Sequence, residues 1–186
     1  MEINEKNPLV SIIILNYNAG ELLEKCITSI YESNYKNFEV IVVDNNSQDE
    51  SHKLCKEKFS SITLIENKEN LGYCEGNNVG IRNANGEFIT ILNPDTIVEP
   101  NWLIELLDAY QEFGDAIYQP KFLTINNESI LQSTGNMIQL FGFGYSRNKG
   151  DHDENQFSKI ENINYASGTC LFTTKQIFDQ LDLFDS

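Results

Sequence analysis

The sequence predicts an α/β domain with a mostly parallel central sheet. Three observations point there. Short apolar runs alternate with helical patterns over the first two thirds of the chain, as βαβ units require. The runs are apolar almost throughout, which suits strands covered on both faces. Each of the first four also ends in a polar cluster, and strand ends are where open α/β sheets bind ligands.

The first strand is Val10 to Leu15 (VSIIIL). Leu22, Leu23, Cys26, Ile27 and Ile30 then recur at helical spacing, so they predict an amphipathic helix. Val40 to Val43 makes the second strand, with a helix over Gln48 to Phe59, and Ile62 to Ile65 makes the third. Glu75 to Ala84 reads as a poor helix, because Gly and Asn have low helix propensity. Phe88 to Leu92 is the fourth strand. Pro100 suits a helix first turn, and Trp102, Leu103, Leu106, Leu107 and Tyr110 form the apolar face that follows. Ala116 to Phe122 is expected as a fifth strand. Residues 124 to 160, rich in Asn, Gly, Ser and charge, read as a hairpin and a mobile loop. Tyr165 to Thr174 regains strand character, and Lys175 to Leu181 predicts a short helix.

A chain of 186 residues, 40 % hydrophobic and 22 % charged, has room for one domain with a buried core. Thirteen basic against 28 acidic residues leave a net charge of −15. That balance excludes a sequence-independent grip on nucleic acid, which needs clustered Lys and Arg. A polyanionic ligand would need a bridging cation or a locally neutral pocket. No apolar run reaches the roughly 18 residues of a membrane span, and Met1 to Pro8 lacks a signal-peptide core. Cys26, Cys55, Cys74 and Cys170 form no CxxC pair, so reduced, cytosolic thiols are expected.

The strand-end clusters are Asn16-Tyr17-Asn18, Asp44-Asn45-Asn46-Ser47, Asn67 to Gly72, and Asn93-Pro94-Asp95-Thr96. They carry no GxGxxG fingerprint and no P-loop. The run from Asp44 opens like a calcium loop but has Asp49 at the sixth place and Cys55 at the twelfth, against the Gly and Glu such loops need. His52 and His152 stand alone in polar stretches and are expected at the surface. Asp95, a carboxylate in a proline turn at a strand end, is the best metal ligand, for Mg²⁺ or Mn²⁺ held jointly with substrate phosphates.

Four segments, in this order, resemble the N-terminal part of a family 2 glycosyltransferase with the GT-A fold. They are VSIIILNYNAGELLEKCITSI, FEVIVVDNNSQDES, NLGYCEGNNVGIRNANGEFITILNPDT and YASGTCLFTTKQIFDQLDLFD. The resemblance implies a Rossmann-like three-layer α/β/α sandwich in one domain over 1–186. Residues 1–100 would be the nucleotide-sugar-binding half and 101–186 the start of the acceptor half, the C-terminal part of the family's domain missing. The NPD form of the third segment is similar to the rhamnosyltransferase-like branch. The implied reaction is inverting transfer of a sugar from a UDP- or dTDP-linked donor to a glycan or lipid-linked acceptor, with Mn²⁺ or Mg²⁺, in cell-surface polysaccharide or glycan synthesis.

On that resemblance Leu15 and Tyr17 contact the base, and Asp44 accepts a hydrogen bond from a pyrimidine imide. Asn70, Gly72, Gly76 and Asn78 pass under the donor sugar. Asn93 and Asp95 occupy the DxD position, with Asp95 on the metal and Asn93 in place of the usual first acid. Gly168 borders the acceptor. The family's general base lies in an acidic motif past the point matched by Ser186, leaving Asp185 and Asp182 as weak candidates. The alternatives are a non-catalytic nucleotide- or sugar-binding module or inactive fragment of the same fold, and an acidic interaction domain that keeps the fold without ligand binding. Expected location is the cytoplasm, possible contact with the membrane's inner face included; oligomeric state stays open.

Overall fold

The computed structural model describes residues 7–186; the polar stretch over 1–6 lies outside the described residues. Fourteen elements follow in the order β1 (Val10–Asn16), α1 (Glu21–Tyr31), β2 (Phe38–Asp44), α2 (Ser51–Lys58), β3 (Thr63–Glu66), α3 (Gly72–Arg82), β4 (Phe88–Leu92), α4 (Trp102–Phe113), β5 (Phe122–Thr124), β6 (Asn127–Ser133), β7 (Asn136–Ile138), β8 (Gly144–Ser146), β9 (Cys170–Thr174) and α5 (Lys175–Gln180). The main sheet runs β3-β2-β1-β4-β9. Its first four strands are parallel, and β9 joins β4 antiparallel. The sandwich expected from sequence is the one observed.

Strand alternation divides the core between the two faces of the sheet. Ile12, Ile14, Val40 and Val42 face Leu23, Ile27 and Ile30 of α1 and Leu103 and Leu106 of α4. Ile13, Ile41 and Val43 face Ile81 of α3 and Phe178 of α5. β9, from the second half of the sequence, lies on the same sheet as β1 to β4 and puts Phe172 against Phe88, ring centroids 5.1 Å apart.

Helix α3 forms despite its propensity, because packing overrides it. Gly76 and Gly80 let the helix lie directly on β1: a Cβ at 80 would sit 2.4 Å from Ile13 Cγ2 and 3.2 Å from Val43 Cγ2. Both methyls are on β-branched side chains and cannot swing clear. In an exposed helix Gly→Ala stabilises. Here Gly80→Ala is expected to destabilise by about 1–3 kcal/mol through overpacking, measurable as a lower urea midpoint.

The other differences lie mainly in the second half. The fifth strand expected over 116–122 reduces to one bridge, Tyr118 with Phe172, whose backbone bonds are 2.8 and 2.9 Å. Pro120 has no N–H for a ladder, and the chain pairs again only from Phe122, in a separate two-stranded sheet with β6. The strand expected from Tyr165 starts at Cys170, after a turn in which Ser167 Oγ accepts from Thr169 N at 3.2 Å. The 124–160 stretch holds two antiparallel hairpins, β5–β6 and β7–β8.

Candidate functional site

The parallel register carries the four strand ends to one edge of the sheet. Past the last ladder pairs, Asn45 N donates to Asn16 O and Asn67 N to Asp44 O, each at 2.8 Å, while Asn93 N donates to Thr169 O at 2.9 Å. The polar clusters therefore form a row. Tyr17 at the end of β1 is 53 % exposed, free to offer a ring face. Leu15, half-buried below it, rests against Gly76, where a Cβ would meet its Cδ1 at 2.5 Å.

Asp44 differs from the expectation. It is 2 % exposed, and its carboxylate is occupied by protein donors. Asn16 Nδ2 donates to Oδ1 at 2.7 Å and Ser47 N to Oδ2 at 2.8 Å. His52, expected at the surface, is 3 % exposed; its first-turn position on α2 turns it inward. Its Nδ1 is 3.2 Å from Asp44 Oδ1, off the line of a hydrogen bond, and its Nε2 is 3.3 Å from Glu66 Oε1. Asp44 thus braces the loops after β1 and β2 from beneath instead of presenting an open acceptor. Above it, Ser47 Oγ accepts from Asn18 N at 2.9 Å and Asn18 Oδ1 accepts from Gln48 N at 2.7 Å. These bonds fasten the loops after β1 and β2 to each other.

A second knot is centred on Asn45, which is also buried. It donates to Asn70 Oδ1 at 3.2 Å and to Gly72 O at 3.0 Å, and accepts from Asn67 Nδ2 at 2.8 Å. Asn70 also accepts from Gly72 N at 2.9 Å, ordering the start of α3, where Gly72 holds φ +74°. Asn78 does not face this edge. Buried to 1 %, it donates to Phe184 O at 2.9 Å and accepts from Phe184 N at 3.0 Å. It clamps the C-terminal segment onto α3 and is closed to a sugar. Tyr73 completes that side, donating its hydroxyl to Gly168 O at 2.8 Å. Burial raises the Tyr73 phenol to about 12, so it stays a donor at neutral pH. Gly168 makes room for this contact, since a Cβ would lie 2.5 Å from the Tyr73 hydroxyl oxygen and push the ring aside.

Asp95 is exposed in the turn after β4, and no protein hydrogen bond engages its carboxylate among the described residues. No group of three or more His, Cys, Asp or Glu could hold a metal among those residues. One free carboxylate still fits Mg²⁺ or Mn²⁺, which are commonly bound by one or two carboxylates plus phosphates and water. Cys26 lies under the same turn, its Sγ 3.7 Å from Asn93 O. Burial, helped by the Asp95 charge, pushes its thiol up to about 12, so it supplies no thiolate. Asn93 holds the turn through its backbone. Asp182 and Asp185 are both exposed, Asp182 at φ +56° in the turn after α5.

The family description "Glycosyl transferase family 2" matches residues 11–182. The chain belongs to this glycosyltransferase family. A Haemophilus influenzae relative, an uncharacterized glycosyltransferase, is 36 % identical over 120 residues, covering 61 % of this chain and 36 % of the relative. The Escherichia coli relative named UDP-Glc:alpha-D-GlcNAc-diphosphoundecaprenol beta-1,3-glucosyltransferase WfgD is 31 % identical over 124 residues, covering 66 % of this chain and 49 % of the relative. The chain therefore spans between about a third and a half of the length of these relatives. Among solved structures, the Pyrobaculum calidifontis mannosyltransferase PcManGT in complex with GDP-Man and Mn²⁺ superposes with TM-score 0.70 at 19 % identity, over 97 % of this chain and 48 % of that one. That likeness supports the GT-A fold of this glycosyltransferase. Sequence reasoning missed His52, Asn16, Asn45 and Tyr73; of these only Asn16 and Asn45 had a signal, as members of strand-end clusters.

Proposed function

We propose that this chain binds a nucleotide-diphosphate sugar, UDP- or dTDP-linked, and serves its inverting transfer to a glycan or lipid-linked acceptor at the cytoplasmic side. The observation that carries the reading is the row of strand ends, with an exposed Tyr17 ring at β1 and the free Asp95 carboxylate at β4. The Escherichia coli relative's UDP-Glc donor and lipid-diphosphate acceptor agree with it. So does the NPD turn, on which the rhamnosyltransferase-like branch also rests.

In this reading the Tyr17 ring stacks on the base, with Leu15 beneath. The knots at Asp44 and Asn45 hold the loops after β1, β2 and β3 in place before donor arrives, which lowers the ordering cost of binding. Asp95 would hold Mn²⁺ or Mg²⁺, which when bound neutralises charge building on the leaving diphosphate. Asn93 fixes the turn that presents Asp95. Gly168, held by Tyr73, sets the backbone on the acceptor side. No residue of this chain is assigned as general base, because Asp182 and Asp185 lie exposed with nothing to orient them. Donor binding without transfer is the second reading, favoured by Asn93 where the family has an acid.

Calorimetry of UDP and dTDP with Mn²⁺ tests the proposal. Micromolar to millimolar binding is expected, and Tyr17→Ala should weaken it about 10–100-fold, as loss of one base–aromatic stack does. Unchanged affinity in that variant would remove Tyr17 from the site, and no binding of either nucleotide would refute donor binding.

A further inference from the structure

The β7–β8 hairpin ends in an apolar tip that the fold leaves uncovered. Leu140 is 96 %, Phe141 82 % and Phe143 67 % exposed, with Ile138 and Tyr145 about half exposed behind them. We propose that this tip inserts into an anionic lipid surface, supplying the contact for the membrane association considered above.

Three observations favour lipid. First, the turn satisfies its own backbone: Gln139 N donates to Phe143 O at 3.0 Å and Gly142 N to Gln139 O at 2.8 Å, with Gly142 at φ +83°. A turn closed on itself enters a low-dielectric layer with few orphaned amides. Second, charge is partitioned. Residues 129–150 contain no Asp or Glu, the longest such run in a chain with 28 acids, yet they contain Arg147 and Lys149. Lys149 is exposed at the hairpin's base, while Arg147 is engaged by Glu161 and Thr134. An apolar tip with the exposed Lys149 behind it matches the order of a bilayer edge, acyl chains first and phosphates next. Third, the surface is too small for a stable protein contact. Leu140, Phe141 and Phe143, with the exposed halves of Ile138 and Tyr145, cover about 650 Å², short of the roughly 800 Å² per partner of a standard interface.

The hairpin root also joins the site. Asn164 N donates to Asn136 O at 2.9 Å and Asn164 Oδ1 accepts from Ile138 N at 2.8 Å, while Tyr165 bridges Asn136. The same segment continues to Gly168 and to Thr169, whose carbonyl accepts from Asn93 N. If the donor-site reading holds, a tip in the bilayer sets this acceptor side against it, where a lipid-linked acceptor would be met.

Flotation of the chain with vesicles of phosphatidylcholine, with and without phosphatidylglycerol, tests the proposal without any sugar nucleotide, so its failure leaves donor binding untouched. Wild type should float with the phosphatidylglycerol vesicles more than with phosphatidylcholine alone. The Phe141→Ser, Phe143→Ser double variant should lose at least tenfold in partitioning at an unchanged melting temperature, and Lys149→Glu should erase the lipid preference. Phe141→Trp should show blue-shifted emission on vesicles against the constant signal of Trp102. No flotation of wild type, equal flotation of the double variant, or an unshifted Phe141→Trp spectrum would overturn the proposal. So would a dimer in light scattering that the double variant abolishes while vesicles bind nothing.

Discussion

Asp95→Ala is expected to abolish metal-dependent binding of UDP, lowering affinity in Mn²⁺ at least about 100-fold, or ~2.7 kcal/mol. A chain at −15 repels a diphosphate, and the strand-end row offers mainly amides and hydroxyls, with Asp44 closed beneath it. Asp95 is the acid at the end of β4, exposed as Glu69 is in the third cluster but set in the Asn93–Pro94 turn. No protein hydrogen bond engages its carboxylate among the described residues, so it can hold a cation that phosphates then share. Removing it takes away the bridge and leaves the repulsion of the remaining acids. The measurement is calorimetry with Mn²⁺ and with EDTA. Wild type in EDTA should resemble Asp95→Ala, and Asn93→Asp should bind the ion at least as tightly as wild type. Equal UDP affinity with and without EDTA would refute the bridge, and UDP binding that survives Asp95→Ala would place the ion elsewhere.

The first half of the fold was legible because β1, β2 and β4 are largely buried on both faces and leave a nearly continuous apolar signature, as in VSIIIL and VIVV. Phe88–Leu92 came out with the boundaries read from sequence for the same reason. Helix α3 was legible only as a departure from propensity, since Gly76 and Gly80 serve contacts with Leu15 and Ile13 that no local pattern reports. In the second half, Pro120 interrupted what its apolar neighbours suggested, and β5, β7 and β8, three residues each, are too brief for a period to register. The site divides likewise. Strand-end position marked Tyr17 and Asp95, because topology alone brings them to one edge. His52 could not be placed, because a histidine in a polar stretch looks solvated until the fold turns it toward Asp44. Asn78 was misassigned because its partner, the backbone of Phe184, lies 106 residues away.

The buried, hydrogen-bonded position of Asp44 makes its loss costly to the fold. Asp44→Ala strands Ser47 N, leaves Asn16 Nδ2 only its longer bonds to Ser47 Oγ at 3.0 Å and Ser51 Oγ at 3.2 Å, and leaves the buried His52 facing Glu66 alone. Breaking a buried, hydrogen-bonded charged group of this kind costs about 3–5 kcal/mol, a large part of the stability of a domain this size. Asp44→Asn keeps the shape but must turn its NH₂ toward either Asn16 Nδ2 or Ser47 N, both donors, so a smaller loss of about 2–3 kcal/mol is expected. Urea denaturation should show a lower midpoint in both variants with an unchanged slope, the mark of lost stability in a two-state unit. Nucleotide binding adds the functional half. Because the carboxylate braces the loops after β1 and β2 without facing solvent, Asp44→Asn should weaken UDP and CDP together, leaving their ratio as in wild type. A selective loss of UDP would mean that the base reaches Asp44 directly, which requires the Ser47 turn to open on binding. A fully stable Asp44→Ala would show that Asn45 and its partners alone suffice to hold the base-side loops.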